Sequence, residues 1–67
     1  MQGIEVDEMR YVDEKEVSRI TGLAIQTLRN HRFRGEGIPY HKVGRSVRYL
    51  MKDIYDFMGA KRINTDG

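Results

Sequence analysis

Residues 13–34, DEKEVSRITGLAIQTLRNHRFR, hold the pattern that decides the fold. Asp13 is a good helix N-cap, and Glu16 three residues later completes the spacing of a capping box. Glu14 and Glu16 put negative charge in the first turn, where the helix dipole favours it. Val17 and Ile20 form an apolar stripe at i, i+3, and Gly22 suits the left-handed position at a helix C-terminus. These signals predict a first helix from Glu14 to about Thr21. A second helical segment follows at once, because Ile25 to Arg32 has no glycine or proline and the next breaker is Gly35. Its start is poorly capped, with Ala24 where Ser, Thr or Asp is preferred. On a helical wheel Ala24, Leu28 and His31 share one side, and Gln26, Arg29, Asn30 and Phe33 lie around the other. Two helices joined by a turn of about three residues containing glycine match the helix-turn-helix signature.

On the C-terminal side, Gly35-Glu36-Gly37-Ile38-Pro39 reads as a loop. Tyr40 to Val43 and Val47 to Leu50 are short β-favouring runs around Gly44-Arg45-Ser46, and three intervening residues with a glycine suit a hairpin. Asp53 to Met58 reads as a last helix, with Ile54, Phe57 and Met58 facing inward. Gly59 weakens that helix near its end. On the N-terminal side, Tyr11-Val12 is an apolar pair just ahead of the first cap. The expected fold is mainly α with a small β-hairpin, a winged helix-turn-helix. It forms one domain over residues 11–62, with 1–10 a flexible lead-in and 63–67 a flexible tail.

The 67 residues include no cysteine, so disulfides and thiolate metal sites are excluded. A chain this short buries a small share of its surface, and its core is marginal. The opening MQGIEVDEMR is acidic and broken by charge, unlike a signal peptide, and no apolar run approaches the ~20 residues that span a bilayer. A cytoplasmic protein is the expectation. Net charge is only +2, but it is segregated. Residues 1–18 hold six acids against two bases, whereas residues 29–52 hold seven bases (Arg29, Arg32, Arg34, Lys42, Arg45, Arg48, Lys52) against Glu36 alone. A basic middle points to one surface facing a polyanion, and the competing reading is a solvated charged face.

The segments YVDEKEVSRITGLAIQTLRNHR and GIPYHKVGRSVRYLMKDIYDFM carry further motifs. They are Thr27-Leu28-Arg29 in the second helix, Pro39 leading to Val43-Gly44-Arg45, and Arg48-Tyr49 followed by Asp53-Ile54. In order and spacing this stretch, Tyr11 to Phe57, resembles the excisionase-like branch of the MerR-type winged helix-turn-helix proteins, which includes phage excisionases and AlpA-like regulators. It departs from that pattern at Ala24, where the family favours Ser or Thr, and at His31, where it often has tryptophan. The resemblance implies double-stranded DNA binding in a phage or integrated element, as a recombination directionality factor or a small transcriptional regulator. It also implies recruitment of an integrase and no catalytic residues; no cofactor is expected, and an RNA polymerase subunit is the other candidate partner. Cooperative assembly of monomers on DNA is expected, since one short helix and one wing read only a few base pairs.

In such a fold the second helix enters the major groove. Gln26 suits adenine and Arg29 suits guanine O6 and N7, each through paired hydrogen bonds. Asn30 suits adenine or a phosphate, and Thr27 a phosphate or a thymine methyl. Arg45 at the wing tip, with Lys42 and Arg48 on its strands, is placed to follow the backbone into a minor groove. Arg32, Arg34 and Lys52 are phosphate candidates. Around five phosphate contacts give a log–log salt slope near −4 to −5.

Plainer readings stand beside these. Arg29 is also placed as a solvated helix residue, and Arg48 as a partner for Asp53 or Asp56. Phe33 and His31 read as core-edge residues, and Tyr40 and Tyr49 as buried rings with exposed hydroxyls. His31 and His41 lack a metal-site motif. A protein-interaction module is the alternative function, with Phe33, Tyr55 and Met58 as its docking side chains.

Overall fold

The computed structural model describes residues 8–61 and 63. The domain is mixed α/β, with three helices and a three-stranded antiparallel sheet: β1 (Tyr11–Val12), α1 (Glu14–Thr21), α2 (Ile25–Phe33), β2 (His41–Val43), β3 (Ser46–Leu50) and α3 (Met51–Ala60). Strand order is β1-β3-β2. The sheet therefore exceeds the expected hairpin by one strand. Val12 pairs with Tyr49 and Tyr11 with Leu50, so the apolar pair ahead of α1 closes the open side of β3.

Local signals set α1. The Asp13 carboxylate accepts the Glu16 amide at 3.0 Å. The reciprocal half of the capping box is absent, because the Glu16 carboxylate accepts from Arg19 instead. Gly22 ends the helix at φ 79°, and its N–H donates to the Ser18 carbonyl at 2.8 Å. Two hydroxyls then fix the turn into α2. Ser18 Oγ donates to the Leu23 carbonyl at 2.6 Å, and Thr21 Oγ1 accepts the Leu23 N–H at 3.1 Å while donating to the Val17 carbonyl. Both backbone groups of Leu23 are thus satisfied within the turn, without recourse to water.

The core is Val12, Val17, Leu28, Ile38, Tyr49, Met51 and Ile54, flanked by half-buried Ile20, Leu23, Val47 and Phe57. Helix α1 sits at its centre and packs on α2, α3 and β3. Several expected positions move. Met58 is exposed, and Met51, one turn before Ile54, takes the inward place. Phe33 is 92 % exposed rather than at the core edge, because it lies on the same side of α2 as Arg29 and Asn30. The hairpin turn is two residues, Gly44-Arg45, since Ser46 already pairs with Val43.

Helix α3 starts two residues earlier than its sequence pattern. Leu50 offers no side-chain cap. The first amides are met from across the chain: Met51 N–H donates to the Arg10 carbonyl at 2.8 Å and Lys52 N–H to the Glu8 carbonyl at 2.9 Å. These bonds satisfy two of the four orphan donors of a helix start. Residues 8–10, read from sequence as part of the lead-in, hold α3. The rest of that lead-in, and 64–67 of the tail, lie outside the described residues. At the opposite end Gly37 (φ 85°) folds onto His31: a Cβ there would lie 2.7 Å from the ring Nδ1. No helix among the described residues is long and apolar enough to cross a membrane.

Candidate nucleic-acid interface

Helix α2 buries Leu28, half-buries Thr27, His31 and Arg32, and leaves Gln26, Arg29, Asn30 and Phe33 exposed. Within that exposed stripe Gln26 Nε2 donates to Asn30 Oδ1 at 3.1 Å, one turn on. The start of α2 has no side-chain cap and no acid in its first turn, in contrast with α1. Among the described residues, no side-chain cap or first-turn acid thus compensates its first amides and positive dipole end.

Beside this stripe, a cleft of about 320 Å³ opens between the start of α1, the middle of α2 and the hairpin. Its walls are Asp13, Glu14, Lys15, Arg29, Arg32, Arg45, Val47 and Arg48. Four of the ten residues read from sequence as DNA contacts thus converge: Arg29, Arg32, Arg45 and Arg48. Gln26, Thr27, Asn30, Arg34, Lys42 and Lys52 lie outside its lining.

Glu14 organises the helix side of the cleft. Its Oε2 accepts from Arg29 Nη2 at 2.6 Å, and its Oε1 accepts from Arg29 Nε and Arg32 Nη2, both at 3.3 Å. The hydrogen bond from Arg29, supported by the charges of both guanidinium groups, lowers the Glu14 pKa against the opposing effect of burial. Arg32 is the most enclosed of these cations. Its Nη1 donates to the Tyr49 hydroxyl at 2.6 Å, and its guanidinium carbon lies 5.7 Å from the Tyr40 ring centre and 6.0 Å from that of Tyr49. Burial disfavours its charge, and Tyr49 with Glu14 more than offsets that. Tyr49 accordingly buries both its ring and a bonded hydroxyl, while Tyr40 stays 40 % exposed. Arg32 therefore ties α2 to β3 and α1.

The hairpin side is different. Lys42 and Arg45 are exposed and form no ion pair among the described residues. Arg48 pairs with neither Asp53 nor Asp56: its Nη1 donates to the Val47 carbonyl at 2.9 Å, and Asp56 takes Lys52. Arg34 is held by Glu36 at 2.9 Å.

Sequence reasoning missed Lys15 and the role of Glu14 here. Glu14 read as a helix-dipole residue, and its link to Arg29, fifteen positions on, exists only once α1 and α2 have packed. No protein-family model matches the chain, and no curated protein matches it. The geometry of this face therefore has to carry the functional reading.

Proposed function

We propose that the chain is a sequence-specific double-stranded DNA-binding protein of the winged helix-turn-helix type, with α2 in the major groove and the β2–β3 hairpin as its wing. The observation that carries this reading is one continuous face. The exposed amide and guanidinium groups of Gln26, Arg29 and Asn30 lie beside a cleft that Arg45 and Arg48 line from the hairpin, and neither of these hairpin arginines forms an ion pair among the described residues. Amide and guanidinium groups suit base edges, and free lysine and arginine suit phosphates. The uncapped start of α2 suits a phosphate oxygen.

The cation pairing revises the phosphate tally. Arg32, Arg34 and Lys52 are engaged within the chain, and Lys15, Lys42, Arg45 and Arg48 remain. About four phosphate contacts give a log–log salt slope of roughly −3 to −4. The biological output proposed is control of recombination direction or of transcription on a mobile element, with cooperative assembly of monomers and an integrase or polymerase as partner. No catalytic step belongs to this reading.

Selection from random duplexes tests it. The expected result is enrichment of a short motif that binds about 10³-fold tighter than a scrambled duplex, the lower end of specific recognition. Recovery of no motif, with equal binding to all duplexes, would overturn sequence-specific recognition.

A second reading, a protein-interaction module, is favoured by one observation. Phe33, a large apolar side chain, is 92 % exposed at the end of the α2 stripe. Capture of an integrase or polymerase subunit without DNA, abolished by Phe33→Ser, is the result that would support it.

A further inference from the structure

The guanidinium of Arg29 is exposed yet not free. Glu14 takes its Nε–Nη2 edge with two hydrogen bonds, at 3.3 and 2.6 Å. A planar guanidinium carries five donors in a fixed fork, so its outer Nη1–Nη2 edge still has two parallel N–H groups to offer. Glu14 is itself anchored. It is the first residue of α1, directly after the Asp13 cap, and its Oε1 also accepts from Arg32, whose Nη1 is fixed on the buried Tyr49 hydroxyl. A chain of contacts thus runs from the core through Tyr49, Arg32 and Glu14 to the exposed Arg29.

We propose that Glu14 is a positioning residue that holds Arg29 edge-on for one guanine and so sets sequence specificity rather than overall affinity; this rests on the DNA-binding reading above. Two physical effects act together. Fixing the arginine before binding removes part of the ordering cost of a long side chain, and only a base with two acceptors in register collects the benefit. The carboxylate also occupies the edge that a phosphate would otherwise grip and repels phosphate oxygens nearby, which weakens contacts that carry no sequence information. Glu14 therefore widens the gap between correct and incorrect DNA from both sides.

The test compares wild type, Glu14→Gln, Glu14→Asp and Arg29→Ala by fluorescence titration. The probes are the duplex selected by the wild-type chain, its single-base-pair variants and a scrambled duplex. In wild type, one G·C pair is expected to be discriminated about tenfold or more through Arg29. Glu14→Gln loses most of that discrimination at the same pair, while its binding to scrambled DNA is unchanged or tighter. Glu14→Asp keeps the charge but shortens the reach, and it loses the discrimination without gaining affinity for scrambled DNA. Adding Arg29→Ala to either variant removes no more than the small remainder at that pair. A change in Glu14→Gln that is equal at every base pair overturns the proposal, because the carboxylate then acts only as a competing charge. Retained discrimination in both Glu14 variants overturns it as well. If wild type selects no duplex at all, the DNA-binding reading fails and this inference fails with it. That outcome is recognisable because it appears before any variant is made.

Discussion

The basic side chains of residues 29–52 divide between helix and hairpin, and the two groups are held differently. On α2 and just beyond it, Arg29 and Arg32 share Glu14, and Arg34 is held by Glu36. On the hairpin, Lys42 and Arg45 form no ion pair among the described residues, and Arg48 donates to a carbonyl of its own strand. A cation bound to a carboxylate loses much of its pull on a distant phosphate but gains a defined orientation. An unpaired cation keeps its long-range pull and has no fixed direction. The contrast teaches that position along a basic stretch does not settle what each charge does. Under the proposed DNA-binding reading, helix cations serve geometry and hairpin cations serve attraction.

The largest effect that sharpens this contrast is expected at Arg32. Arg32→Ala removes a half-buried guanidinium, leaves the Tyr49 hydroxyl without that donor and Glu14 with Arg29 alone, so urea or thermal unfolding is expected to show a loss of about 2–3 kcal/mol. Equal stability of this variant and wild type would break the assignment of Arg32 as a brace. Tyr49→Phe keeps the ring and removes one acceptor, and a smaller loss of about 1–2 kcal/mol is expected.

Acid provides a third handle. The folded-state pKa of Glu14 lies below its ordinary value of 4.5, first because Arg29 hydrogen-bonds it. Its contribution to stability is therefore fully present above 4.5 and is lost as pH falls through the lowered folded value. In Glu14→Gln this part of the acid sensitivity is expected to vanish, which a comparison of melting temperatures at pH 7 and pH 3 detects. The smallest effect on stability belongs to the hairpin. Arg45→Ala is expected to stay within about 0.5 kcal/mol of wild type, since its side chain is exposed and forms no ion pair among the described residues. A large loss there would erase the distinction between the two groups.

The parts legible in the sequence are those set by neighbours along the chain. Asp13, Glu16 and Gly22 place both ends of α1 because capping is local, and the wheel of α2 separates Leu28 from Gln26, Arg29 and Asn30. What stayed hidden depends on distant partners. Strand β1 is only two residues long, too short for any periodicity, and exists because β3 comes to lie beside it. The start of α3 at Met51 depends on carbonyls of Glu8 and Arg10, which no local cap announces. At the site, the sequence pattern marks Arg29, Arg32, Arg45 and Arg48 as cations but not their pairing. That pairing is decided by where α1 presents Glu14.

The most direct measurement is the salt dependence of binding to the selected duplex for wild type and for the Lys42→Ala, Arg45→Ala double variant. Wild type is expected to show a log–log slope of roughly −3 to −4, and the double variant a slope shallower by about 2 with the base preference intact. A wild-type affinity independent of salt, or a double variant with an unchanged slope, would contradict the placement of DNA phosphates along the hairpin.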